Sequence, residues 1–130
     1  KKALMHGPTY MGNALACAAA NASLDLFERE PRLRQVKVMS EQMTRELSLC
    51  HELPGVKDVR VKGAIGVVEL DRIADVQALR ARFVEEGVFI RPFGAIIYLT
   101  PAFTIESHDL SRLTAAIVKV AGKGVTRGSP

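Results

Sequence analysis

The chain has 130 residues, 48% of them hydrophobic, which is enough for one domain with a modest core. The formal net charge is +4 and the isoelectric point is near 9.3. The cations (Lys1, Lys2, Arg32, Arg34, Lys37, Arg60, Arg80, Arg82 and Arg127 among them) are scattered and not interleaved with aromatic residues. That is the pattern of a solvated surface, and it argues against a nucleic-acid partner. No apolar run reaches membrane-spanning length and no signal-peptide core opens the chain, so no membrane partner is expected.

Lys1-Lys2 reads as the middle of a longer chain. The stretch that follows, His6-Gly7-Pro8-Thr9-Tyr10-Met11-Gly12-Asn13, is a tight loop feeding the positive end of a helix. Gly7 has no Cβ and admits a close neighbour, while Pro8 fixes its own φ and keeps Gly7 out of helical geometry. Thr9 offers a hydroxyl and an amide, and Gly12-Asn13 supplies a turn and an N-cap. Free amides beside a helix N-terminus form an anion site, with phosphate the usual occupant. A plain turn and cap is the alternative.

Asn13 to Arg29 is alanine-rich and predicted helical, leaving room for a second surface to come close. Pro31 suits the start of a second helix, in which Leu33, Val36, Met39, Met43 and Leu47 recur at helical spacing and face inward. Leu53-Pro54-Gly55 ends it. Two strands follow over 56–70, meeting at Lys62-Gly63. In the first, Val59 and Val61 alternate with Asp58, Arg60 and Lys62; the second, with Ile65, Val67, Val68 and Leu70, reads as more buried. Gly63 and Gly66 mark a bend or a close approach, strand packing being the default. Asp75 to Glu86 is a short helix with Val76, Leu79 and Phe83 inward and Gly87 as its C-cap. A strand over 88–91 then ends in a cation, turns at Pro92-Phe93-Gly94 and returns through Ala95–Leu99 to the breaker Thr100-Pro101. Ser107 caps a last helix with Leu110, Leu113, Ile117 and Val120 inward, and 122–130 should fray.

Helices with short antiparallel strands and no strand–helix alternation make the fold class α+β, with three or four mostly antiparallel strands and helices on one face. Cys17 and Cys50 sit far apart, at neither zinc spacing nor that of a secreted disulfide framework, so reduced thiols in the cytoplasm are expected. His6, His51 and His108 have no second nitrogen ligand at metal spacing, and no metal is expected. Arg91, among Phe89, Ile90, Pro92 and Phe93, needs an anionic partner if buried; its planar fork suits a carboxylate, either a ligand's or that of a structural Asp or Glu.

Three separated stretches, HGPTYMGNALACAAANASL (6–24), GAIGVVEL (63–70) and FIRPFGAIIYL (89–99), resemble the class III (fold type I) aminotransferases in the right order. The likeness covers nearly the whole chain. It implies a small C-terminal domain over 13–130, entered by the long helix 13–29, with 1–12 as the cofactor-phosphate loop at the end of a large domain. It implies pyridoxal 5′-phosphate as cofactor, held at its phosphate by Pro8 and Thr9 across a homodimer. Gly7 and Arg91 then become substrate contacts, Arg91 through a carboxylate, and Tyr98 lines the substrate end.

Pro8, Met11 and the RPFG turn are most similar to the branch acting in biotin synthesis, which implies S-adenosylmethionine as amino donor and 8-amino-7-oxononanoate as acceptor. Aminotransferases of the ornithine or 4-aminobutyrate type, and a non-catalytic module that self-associates through the alanine-rich helix, are the alternatives. No catalytic residue is assigned: the resemblance places the Schiff-base lysine and the acid facing the pyridine nitrogen upstream of residue 1, so the chain alone is expected to be inactive.

Overall fold

A computed structural model of the chain describes residues 6–122. These fall into two compact units, one running to Arg32 and the other starting at Leu33. The first contains a short 3₁₀ turn, Thr9–Gly12, and helix α1, Ala14–Arg29. The Asn13 side chain caps α1, accepting from the Ala16 amide at 2.9 Å as the Gly-Asn pair predicts. No residue of α1 is buried within this chain; Leu15, Leu24 and Phe27 are exposed.

The second unit holds α2 (Arg32–Leu47) from its second residue on, a 3₁₀ turn at Ser48–Glu52, β1 (Val56–Lys62), β2 (Ile65–Leu70), α3 (Val76–Glu85), β3 (Ile96–Leu99) and α4 (Ser107–Gly122). It is an α+β unit whose three strands form one antiparallel sheet in the order β1-β2-β3. Pro31 directly precedes α2, where a residue without an amide hydrogen costs least. Gly63 takes φ +58 in the turn between β1 and β2, which a side chain would resist. Asp75 caps α3, accepting from the Gln77 and Ala78 amides, and Gly87 at φ +73 ends it.

Register decides what each sheet face carries. Val59 pairs with Val68 and Val61 with Gly66, while Val68 and Gly66 pair with Ile97 and Leu99. That face joins Met39, Met43 and Leu47 of α2, Leu79 and Phe83 of α3, and Leu110, Ile117 and Val120 of α4 in a single core. The close approach at Gly66 is α2: an added Cβ would lie 3.0 Å from Leu47 Cδ1 and 3.1 Å from Met43 Sδ. Filling that space would overpack the core at a cost of about 1–3 kcal/mol. A bulge between Val56 and Asp58 lets both Lys57 and Arg60 reach Glu69 on the opposite, wet face, at 2.9 and 2.7 Å. Being exposed, that network adds little stability.

Several sequence expectations fail in instructive ways. Leu33 is 84% exposed because it stands in the first turn of α2, ahead of the core-facing stripe. Ile65 is exposed and Val67 half-buried, while Gly66, Val68 and Leu70 are buried, so β2 alternates rather than burying its whole apolar run. Val76 lies half out of the core at the start of α3. Ser107 is already helical, and its hydroxyl donates to Gln42 Oε1 on α2 at 2.9 Å. Residues 88–91 form no strand: Phe93 and Ile96 close a turn on themselves, each amide reaching the other's carbonyl at 2.9 Å. Gly94 at φ +56 permits that turn, and Pro92 has no amide to give a ladder. The frayed tail expected for 122–130 falls, past Gly122, outside the described residues, as do Lys1, Lys2 and Arg127.

A buried polar seam joins α2 to α4. Glu46 accepts from Ser111 Oγ at 2.8 Å, from Gln42 Nε2 at 3.0 Å and from the Thr114 hydroxyl. Gln42 also donates to the Ser107 carbonyl at 2.8 Å, and no buried side-chain polar atom among the described residues lacks a partner. Burial pushes the Glu46 carboxyl up. The bonds from Thr114, Ser111 and Gln42, with Arg45 nearby, outweigh that and leave it below its ordinary value of 4.5. A carboxyl depressed in the folded state stabilises above its unfolded value and loses that contribution as pH falls through the folded one. Thermal unfolding followed downward from pH 4.5 should therefore show a loss that Glu46→Gln removes; an unchanged profile in the variant would assign the acid sensitivity elsewhere.

Candidate functional site

The first unit presents the loop 6–13 with every residue exposed. Pro8 takes φ −64 and ψ 152, an extended conformation that turns the chain into the 3₁₀ turn. Tyr10 and Met11 then adopt φ 63 and 48, the only positive values at non-glycine residues among those described. Left-handed backbone costs a side-chain-bearing residue roughly 1–2 kcal/mol, and such strain collects where a loop must hold a particular shape. The Met11 amide donates to the Pro8 carbonyl and that of Asn13 to Tyr10, both at 2.9 Å. Among the described residues no acceptor takes the Thr9 or Tyr10 amide, and the Thr9 hydroxyl has no partner. Exposed donors of this kind can receive an anion.

Arg91 and Tyr98 meet in the second unit, in a cleft of about 250 Å³ lined also by Phe89, Ile90, Leu99, Thr100, Pro101 and Leu113. Ile90 is the buried residue of its segment and pulls the chain against the core, so Arg91 turns outward between Phe89 and Phe93, 77% and 74% exposed. The guanidinium is thus not buried as its apolar neighbours implied. Nor does it take part in any ion pair among the described residues, so no structural carboxylate of those residues claims it. Tyr98 lies on the wet sheet face, in register with Val67 and, beyond it, Arg60. An apolar cleft with one free cation and a phenol is suited to an aliphatic chain ending in a carboxylate.

Sequence reading missed the rest of the lining. Leu113 packs against the core as its helical spacing implies and also lines the cleft, together with the strand breaker Thr100-Pro101. Other nucleophile candidates fall away. Cys50 is buried, and burial pushes its thiol up to about 11, far from the thiolate that reacts. His6, His51 and His108 are exposed and apart in sequence, and no group of three metal-ligating side chains occurs among the described residues. No described helix is long and apolar enough to cross a membrane.

Comparison with known proteins identifies the family. The family model "Aminotransferase class-III" matches residues 2–121. The adenosylmethionine-8-amino-7-oxononanoate aminotransferase of Corynebacterium glutamicum is 42% identical over 122 residues, covering 93% of this chain and 29% of the relative. The crystal structure of the enzyme of that name from Methanocaldococcus jannaschii superposes with a TM-score of 0.77 at 29% identity, covering 92% of this chain and 30% of that one. An (S)-enantioselective omega-transaminase from Thermomicrobium roseum gives 0.79 at 26% identity, over 98% and 31%. The chain thus spans less than a third of the length of the relatives it matches, and the likeness of fold extends across transaminases of different specificity. The chain belongs to the class III aminotransferase family.

Proposed function

We propose that this chain works as the C-terminal part of a cytoplasmic, homodimeric, pyridoxal-phosphate-dependent aminotransferase of biotin synthesis. In this reading S-adenosylmethionine gives its amino group to 8-amino-7-oxononanoate, and 7,8-diaminononanoate is the product. The carrying observation is the cleft, where a guanidinium without an ion-pair partner among the described residues stands against an apolar wall. A nonanoate ends a long aliphatic chain in a carboxylate, which matches Arg91 for the charge and Phe89 and Leu113 for the chain. The 42% identity to a relative bearing that enzyme's name favours this substrate pair over ornithine or 4-aminobutyrate.

The bound cofactor would supply the electron sink for moving an amino group. The residues of this chain bind and orient. Thr9 donates its hydroxyl to the phosphate, Pro8 holds the loop open for it, and Gly7 contacts the substrate through its backbone. Arg91 holds the carboxylate, and Tyr98 closes the substrate end. In this reading 1–12 serve the cofactor and 13–130 belong to the small domain. Exposed Leu15, Leu24 and Phe27 on α1 supply apolar surface for the remainder of the dimer.

The test is a donor assay on the full-length enzyme carrying this sequence. Activity with S-adenosylmethionine and none with ornithine is expected, and the reverse would overturn the proposal. Separately, Thr9→Val should weaken equilibrium cofactor affinity about tenfold or more, the worth of one hydrogen bond to a charged group. Unchanged affinity would remove Thr9 from the phosphate.

A further inference from the structure

The neighbour that Gly7 admits is already present within the chain. A Cβ added at Gly7 would meet three consecutive atoms of Met11, its Cε at 3.2 Å, Sδ at 3.3 Å and Cγ at 3.4 Å. The Met11 side chain is therefore folded back along the bare face of Gly7, though 78% of the residue is exposed to solvent. It does so from a left-handed backbone, φ 48, next to a second left-handed residue, Tyr10. Glycine at position 11 would take that φ without penalty, as Gly12 does at φ 76. A side chain kept at a cost, exposed, and laid on one particular backbone atom is placed for what it does to that backbone.

We infer that Met11 is a positioning residue, whose thioether chain clamps Gly7 and holds the Gly7–Thr9 backbone in the shape that receives an anionic ligand. The inference rests on the phosphate-loop reading above. The unbranched chain and soft sulfur suit it to lie along a flat glycine face. The loop is pinned at Pro8 by the Met11 amide, at 2.9 Å, and at Gly7 by the side chain of the same residue. Thr9, with its free amide and hydroxyl, stands between those pins and Tyr10.

The test measures equilibrium binding of inorganic phosphate and of pyridoxal 5′-phosphate, together with thermal unfolding, on the full-length enzyme and its variants. Met11→Gly removes the clamp and the backbone penalty at once. A loop that then spends about a tenth of its time in the receptive shape binds about tenfold more weakly. The melting temperature should hold or rise, because strain is relieved. A merely structural methionine would do the opposite, lowering the melting temperature without a specific effect on binding. Met11→Leu, which keeps an unbranched Cβ and similar bulk, should restore most of the affinity. Gly7→Ala asks the thioether to give by only a few tenths of an ångström, so it should weaken binding less than Met11→Gly, and should cost little more once Met11 is already glycine. Unchanged affinity in Met11→Gly, or losses that simply add in the double variant, would overturn the inference. Unchanged affinity in Thr9→Val as well would instead overturn the loop reading on which it rests.

Discussion

In the full-length enzyme, Arg91→Ala should raise KM for the carboxylate-bearing substrate about 10- to 100-fold while kcat changes much less, the expected loss of hydrogen bonds to a charged group. The direction follows from where the charge stands. Arg91 is exposed at the mouth of the cleft and makes no ion pair with any described residue, so truncating it strands no internal carboxylate and leaves the fold intact. Arg91→Lys should recover only part of the loss, since a point charge cannot reproduce a planar two-pronged contact. Because the site is open to solvent, the effect should shrink as salt is raised. Steady-state kinetics with each substrate varied in turn decide the matter, and KM values unmoved for both would take Arg91 out of the site.

Phe83→Ala should cost about 3–5 kcal/mol, a large share of the 5–15 kcal/mol that holds a typical domain together. Phe83 is fully buried on α3 in the same core as Leu79, Ile90, Leu110 and Ile117. Its deletion leaves a hole that a sheet braced by α2 and α4 has little freedom to collapse into. The consequence reaches the cleft. The Phe83 carbonyl accepts from the Val88 amide at 3.0 Å, and that bond launches the segment carrying Ile90 into the core and Arg91 out of it. Amide hydrogen exchange over 88–91 should therefore rise along with the loss of stability. An unfolding free energy from urea denaturation lowered by less than about 1 kcal/mol would show that the ring is not packed as described.

Much of the fold was legible because local chemistry and tertiary need agree. Asn13 and Asp75 are side-chain acceptors where helix amides lack partners, and they cap α1 and α3. Gly63 and Gly87 stand where the backbone takes positive φ. Leu79 and Phe83, and Leu110, Ile117 and Val120, keep helical spacing and go inward. The candidate site was legible only as residue types: a threonine-bearing loop before a helix, and an arginine before a Pro-Phe-Gly turn. The Met11 clamp on Gly7 was not visible, since no pattern of sequence spacing says that a side chain will lie across a glycine four positions earlier.

Alone, then, the sequence determined the class III family, the α+β class and the places where helices begin and turns fall, because caps, glycines and periodic apolar residues act over a few positions. Tertiary structure decided the phase of β2, the irregular path of 88–95 and the outward turn of Arg91. Each of these depends on which of two neighbours wins the core. Gly66 yields its space to Met43 and Leu47, so the side chains at 68 and 70 go in and Ile65 goes out. Ile90 takes the buried position, so the guanidinium beside it faces water and is free to meet an acid.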